Sequence, residues 1–408
     1  MGNEGEKVGT NSNKYTPTTA GSYTVTISAT GYNNKTSNAV TVTGDNVFVV
    51  ANTEQWNTAT TAIKNGGNNK TYDIVVTGSF SIPGYSSNTF GNVTGVTVNI
   101  RGAGTITLAS GSTGGLLYIR GNQTVSLKDT HLVGHSSNGE TLVEVGDYLV
   151  GTLATFNMTG GTISGNGGEG VSVNYGTFNM SGGTISGNIG DFAIGVSVYE
   201  GGTFNMSGGT ISDNINNYSD TTNNYWGGGG VYVGEFATFN MSGTAVIRGN
   251  KAQRGGGVFL SAEAEVGVII SENVATFNMS GGTIAGNEAT QNGGGVYMQR
   301  VGNGGATSQI FNMTGGTISG NKANQSGGGV YKGASSIFRI EKGTIYGSNE
   351  PNESLRNTAT SNSALYSSSV TASSTAERGT FSGATWTSKG TLATTNDTIN
   401  VLNGDIVP

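Results

Sequence analysis

The sequence predicts an all-β chain: a right-handed, single-stranded parallel β-helix (a solenoid) of about 22 residues per minimal coil, with a short N-terminal capping helix. Three observations carry this expectation. The stretch Thr155 to Asn166, T-F-N-M-T-G-G-T-I-S-G-N, returns nearly unchanged at Thr177, Thr203, Thr238 and Thr276; a sixth copy opens at Ile310 and a degenerate seventh at Ile337. Equivalent phenylalanines, from Phe156 through Phe178, Phe204, Phe239, Phe277 and Phe311 to Phe338, lie 22, 26, 35, 38, 34 and 27 residues apart. The extra residues of the longer copies sit on either side of one strand, which is how a solenoid accepts insertions without disturbing its core. Finally, no apolar pattern has the 3.6 period of a helix, and leucine is too rare for a leucine-rich repeat. A propeller blade would need about 40–45 residues and four strands.

One copy can be read residue by residue. In Thr177-Phe178-Asn179-Met180, side chains alternate, so Phe178 and Met180 share the inner face while Thr177 and Asn179 face out. Ser181-Gly182-Gly183 is turn chemistry. Thr184-Ile185-Ser186 makes a second strand with Ile185 inward, and Gly187-Asn188 a second corner where a left-handed residue is tolerated. Gly195-Val196-Ser197-Val198 is the third strand, with both valines inward. Three strands and three corners are expected per coil. One coil alone buries too few side chains to offset the entropy of ordering its backbone, so coils must stack. The expected inner columns are the seven phenylalanines and, beside them, Ile163, Ile185, Ile211, Ile284, Ile318 and Ile345.

Taken in order, residues 1–13 read as a disordered leader and 14–44 as a strand pair, Gly21 to Ser28 and Ser37 to Val42. Asn52 to Lys64 is the one good helix candidate: Trp56, Ala59, Ala62 and Ile63 lie near one face, and Gly66-Gly67 stops it. It is expected to cap the open end of the β-helix, which is placed at 45–350. Early, irregular coils fall at Tyr72 to Val76, Val96 to Ile100, Thr105 to Leu108, Leu116 to Ile119 and Thr124 to Leu127. The regular array runs from Thr155 to Asn349. Residues 351–408 are assigned to a terminal coil and C-terminal cap, in which Ala364 to Tyr366, Gly379 to Phe381 and Thr398 to Val401 read as worn versions of the repeat strands.

Composition narrows function. Glycine numbers 71 against 4 prolines with no collagen period, so it signals tight turns. Charged residues make up 11% and the net charge is −6; with no basic stripe to neutralise phosphates, no nucleic-acid partner is expected. Cysteine is absent, which excludes disulfides and Cys-based zinc or redox chemistry. Neither a signal-peptide pattern nor a membrane span of about 18 apolar residues is found. A piece of a longer multidomain surface protein is expected.

Candidate sites are few. Many β-helices act on polysaccharides with paired carboxylates, about 5–9.5 Å apart, but no acidic residues recur in one column of neighbouring coils, so no catalytic residue is assigned. Glu263, Glu265 and Glu272 lie on an insertion and read as solvated, and Arg339-Ile340-Glu341-Lys342 only superficially resembles a polygalacturonase segment. His131 and His135 stand four apart in a strand–turn context rather than on a helix, which points to structure rather than zinc; the glycine runs lack the Asp of calcium-binding nonapeptides. No metal and no cofactor is expected. The outward residue of the third strand is Ser172 and Ser197 in short coils but Tyr232, Phe259, Tyr297, Tyr331 and, less regularly, Tyr366 in long ones. Tyr232, Phe259, Tyr297 and Tyr331 are therefore the candidate ligand-binding residues, as an exposed ring column in a loop-walled groove; the alternative is that the loops fold over them as a satellite core. A second outward array, Thr155/Asn157 and its equivalents, either stabilises the coils as hydrogen-bonded ladders or forms an ice-binding face. Each N-M-[S/T] is also a glycosylation sequon, here a by-product of the repeat.

The segment Ile318 to Tyr331, I-S-G-N-K-A-N-Q-S-G-G-G-V-Y, resembles the repeat of polymorphic outer-membrane proteins, an F-x-x-N tetrapeptide followed by G-G-A-[I/L/V]. Ile stands here for the Phe of that motif and the third Gly for its Ala. Ile284 to Tyr297 and, with a longer insert, Ile211 to Tyr232 match in the same way. The resemblance spans the regular array and implies a surface-exposed β-helix, often an adhesin. The 14–44 strand pair resembles the last two strands of a bacterial immunoglobulin-like repeat. Together these readings predict a monomeric, non-enzymatic adhesin or spacer, extracellular or on a bacterial surface, that binds host or bacterial glycan or protein. The alternatives are a polysaccharide lyase or glycoside hydrolase and, last, an ice-binding solenoid.

Overall fold

A computed structural model of the chain describes residues 46–147, 153–192, 194–219, 227–261, 274–299, 309–334, 336–367 and 376–407, with the backbones of four short strands before them. The chain divides into two units, Met1–Phe48 and Val49–Pro408. In the first, Gly21–Tyr23 pairs antiparallel with Val40–Val42, and Thr26–Ile27 with Lys35–Thr36. The assignment of residues 1–13 lies outside the described residues.

The second unit is a parallel β-helix. Its helix spans Thr53–Asn65. The Asn52 side chain accepts the Gln55 N–H at 3.0 Å, and Gly67, at φ +88°, turns the chain out. The buried face is Trp56, Ala59, Thr60 and Ile63. Thr60 thus takes the place expected for Ala62; its hydroxyl donates back to the Trp56 carbonyl at 3.1 Å, so it is buried without an orphaned donor. Trp56 donates from Nε1 to Tyr85 Oη at 2.9 Å and packs beside Phe80 of the strand Ser79–Ile82.

A first ladder of parallel strands begins at Thr71–Val76 and passes through Thr97–Arg101, Thr124–Lys128 and Thr155–Met158. It continues without a slip of residue type, Thr on Thr, Phe on Phe, Asn on Asn and Met on Met, through Thr177, Thr203, Thr238 and Thr276. The seven phenylalanines form one buried column with stacked ring centroids 4.6–5.1 Å apart. That spacing is the distance between hydrogen-bonded strands, so stacking and backbone pairing are satisfied together. A second ladder carries the isoleucine column, and it includes Ile247, which the sequence pattern passed over. The coil that holds it has Ser242-Gly243-Thr244-Ala245 in place of the usual glycine pair, which disguised the register.

The coils that open at Thr177, Thr203 and Thr238 have four strands rather than the expected three; in the next two, the first pair runs together as the single strands Ala275–Ala285 and Gln309–Ser319, so three remain. Ile189–Gly190, Ile215–Asn216, Lys251–Ala252, Glu288–Ala289 and Lys322–Ala323 form an added ladder of two-residue strands. The last ladder, of Val-x-Val type, runs from Leu117–Ile119 to Leu365–Ser367.

Asparagine plays two parts. Outside, Asn179 Nδ2 donates to Asn157 Oδ1 at 2.9 Å, and the pattern repeats through Asn205, Asn240, Asn278 and Asn312 at 2.8–3.0 Å. Inside, the Asn of the Gly-Asn corner is buried, and only its glycine is left-handed, with φ +63° at Gly187. Asn188, Asn214, Asn250, Asn287 and Asn321 each donate from Nδ2 to the next winding's Asn Oδ1 at 2.9–3.0 Å. The same Oδ1 accepts the backbone N–H of the residue below it. Buried amides of the corners therefore have partners in the winding above, which is what a buried polar group requires.

The last winding is a worn repeat only in part: Leu365–Ser367 runs parallel to Val330–Lys332, as expected of Ala364 to Tyr366, whereas Gly379 to Phe381 and Ile399 to Val401 pair antiparallel. Ile399–Leu402 runs antiparallel to Gly343–Ile345, and Ala376–Ser382 begins parallel to Ser336–Ile340 before folding back on Thr385–Thr391. An antiparallel strand on the last parallel edge occupies hydrogen-bonding groups that another chain could otherwise pair with. Arg339 follows Asn312 in register and sits 5.8 Å from the Trp386 ring centroid, so the outer Asn ladder stops there. Among the described residues no helix is long and apolar enough to cross a membrane.

Candidate functional site

The Val-x-Val ladder sets its middle residues in one column: Tyr118, Glu144, Ser172, Ser197, Tyr232, Phe259, Tyr297, Tyr331 and Tyr366. Rings from Tyr232 to Tyr366 stack with centroids 4.5–5.6 Å apart. They do not form the exposed column that was one expectation. Tyr232 is 1% exposed, Phe259 0% and Tyr297 3%, while Tyr331 and Tyr366 are half-buried. The rings are a satellite core, and the glycine runs explain why. A Cβ on Gly255 would lie 2.9 Å from Phe259 Cβ, and one on Gly293 2.6 Å from Tyr297 Cβ. Backbone without side chains can therefore close over each ring. Burial pushes the Tyr297 hydroxyl up to about 12, with the Arg254 charge opposing it.

The ring column breaks at Glu144, Ser172 and Ser197, and a hollow of about 310 Å³ lies beside the break. It is lined by Glu140, Thr141, Glu169, Asp191, Phe192 and Tyr199, contributed by three successive windings. Tyr199, two residues after Ser197, swings its ring against Tyr232 at 5.2 Å and so takes the position that Ser197 leaves open. Its hydroxyl donates to Glu169 Oε1 at 3.1 Å, and Thr141 Oγ1 donates to Oε2 at 2.8 Å. Burial raises the Glu169 carboxyl above the usual carboxylate range; the hydroxyls of Thr141, Ser197, Tyr199 and Ser172 oppose the shift. Tyr199 is raised well above its ordinary value, first by burial and then by the charge of Glu169. Phe192 is 51% exposed at the edge, tilted toward Tyr218 at 6.1 Å.

Glu169 therefore costs stability when ionised. Its folded-state pKa lies above the unfolded one, so its contribution is most favourable at low pH and is lost as pH rises through the folded value. Glu169→Gln should melt higher than the parent at neutral pH, with the gap closing in acid; thermal melts across pH check this, and a lower melting point at neutral pH would contradict it.

Neighbouring charged groups are committed elsewhere. Arg120 pairs with Glu144 at 2.8 Å and Asp147 at 2.9 Å. His131 bonds the Thr162 hydroxyl at 2.9 Å and His135 the Ser112 carbonyl at 2.8 Å, so each has a local structural partner. Among the described residues no group of three His, Cys, Asp or Glu could hold a metal ion. Glu263, Glu265 and Glu272 lie outside the described residues. Comparison with protein-family models, curated proteins and solved structures finds no match to this chain.

Proposed function

We propose that this chain is a non-enzymatic β-helix, secreted or held on a bacterial surface, that acts as an adhesin or spacer and meets glycan or protein through its insertion-bearing side. One observation supports the reading above others: variation in coil length is gathered beside the Val-x-Val ladder. Residues 220–226 precede the strand Val231–Val233, 262–273 follow Val258–Leu260, and 300–308 follow Val296–Met298. Meanwhile the Thr-Phe-Asn-Met ladder keeps its register from winding to winding. Constant ladders with variable insertions separate a scaffold from a contact surface. Because Tyr232, Phe259 and Tyr297 are consumed in packing, contact falls to the insertions and to the half-buried Tyr331.

The purified chain should bind a subset of glycans or bacterial or host surfaces. Replacing 262–273 and 300–308 by short Gly-Ser linkers should weaken that binding about tenfold or more with little change in melting. Undiminished binding by the shortened protein would overturn the insertion-side reading. A carbohydrate-active enzyme is the second reading, favoured by one observation, the raised carboxyl of Glu169 in a hollow with Glu140 and Asp191. Release of new reducing ends from a polysaccharide, lost in Glu169→Gln, would support it.

A further inference from the structure

The hollow at the break in the ring column has features that the scaffold does not need. In the coils above it, the column position is filled by a ring that glycine backbone covers. Here serines stand at that position, and the space is left to a half-buried carboxylate and an edge ring. A ring at Ser172 would complete the packing as at Tyr232; instead, Glu169 occupies the space at a cost in desolvation.

The chemistry of the lining is specific. Acceptors are supplied by Glu169, Glu140 and Asp191, hydroxyls by Thr141 and Tyr199, and an aromatic surface by Phe192. Among the described residues the lining includes no Lys, Arg or His. Arg120, the base that serves this part of the stack, is already paired to Glu144 and Asp147. Carboxylates joined to aromatic rings without a counter-charge suit a cation with an organic body: the carboxylates take its charge and donors, the ring its carbon face. A volume of about 310 Å³ lies at the small end of ligand pockets and has room for a single sugar ring.

From the cavity, its ring wall and its uncompensated carboxylates together, we infer that the hollow binds a small hydroxylated amine, of the class of a hexosamine with a free ammonium group. The ammonium sits between Glu169 and Asp191, the sugar hydroxyls reach Glu140, Thr141 and Tyr199, and a C–H face lies on Phe192. This site is separate from the insertion-mediated contact proposed above, and either can fail without the other.

The test is titration calorimetry of the full chain with glucosamine, beside glucose and N-acetylglucosamine, which share the ring but lack the charge. Glucosamine is expected to bind at least about tenfold more tightly than either neutral sugar, and less tightly as salt rises. Glu169→Gln and Asp191→Asn should each weaken glucosamine about tenfold, and Phe192→Ala should weaken all three sugars, with melting raised in Glu169→Gln and unchanged in Asp191→Asn. Absence of glucosamine binding, equal binding of N-acetylglucosamine, or unchanged affinity in both carboxylate variants would each overturn the assignment.

Discussion

Phe239→Ala is expected to destabilise the second unit by about 3–5 kcal/mol, the cost of truncating a fully buried phenyl ring in a core that cannot collapse around the gap. Phe239 is 0% exposed and sits between Phe204 at 4.9 Å and Phe277 at 4.8 Å. Removing it takes away two stacked faces at once. The neighbours cannot move together, because each is fixed in height by its own strand's pairing. The strand itself remains able to form its backbone bonds, so the loss should appear as a lower denaturant midpoint. Phe236, three residues earlier and 44% exposed, provides the control: Phe236→Ala should cost less than about 0.5 kcal/mol. Similar costs at both positions would mean that the column does not hold the windings together.

Asn250→Ala should cost about 3 kcal/mol or more, although the residue looks like turn material. Its Oδ1 accepts the Asn214 backbone N–H at 3.1 Å and Asn214 Nδ2 at 2.9 Å; its own Nδ2 donates to the Ile211 carbonyl at 3.0 Å and to Asn287 Oδ1 at 3.0 Å. All of these are buried, and each group left without a partner costs roughly 1–3 kcal/mol. Asn240, in the same winding but on the outer ladder, is half-exposed, and water can replace its partners. Asn240→Ala should therefore cost only about 1 kcal/mol. Urea unfolding of the two variants side by side measures the contrast, and equal values would refute it.

What the sequence showed and what it concealed follow from the range of the forces involved. Phe156 and Ile163 could be placed because alternation along a strand is local and the repeat reports it many times. Trp56 was placed for the same reason on a helical period. The inner role of Asn188 and its equivalents was hidden, since Asn in a Gly-Asn pair is ordinarily a corner residue and its partner lies a whole winding away. The two-residue strands such as Lys251–Ala252 carry no apolar alternation to betray them. Alternation puts Tyr232, Phe259 and Tyr297 on the outer side of the third strand, but turn chemistry alone does not tell that glycines cover them; the Gly-Gly-Gly run before each of the three is the signal for their burial. The hollow around Glu169 was the least legible feature. Its lining comes from three windings at positions where the repeat is most irregular, and the only local sign was the change from ring to serine at Ser172 and Ser197.

The in-register stacking also bears on how such a chain can grow. Every winding offers the one above it the same donors, acceptors and ring face that it received from the one below. A duplicated copy of Thr177 to Gly202 would find both neighbours ready and would lengthen the stack by about 4.8 Å, one interstrand distance, leaving the helix at one end and the antiparallel strand at the other undisturbed. Reach can thus be altered by adding or removing whole windings, independently of whatever the inserted segments recognise.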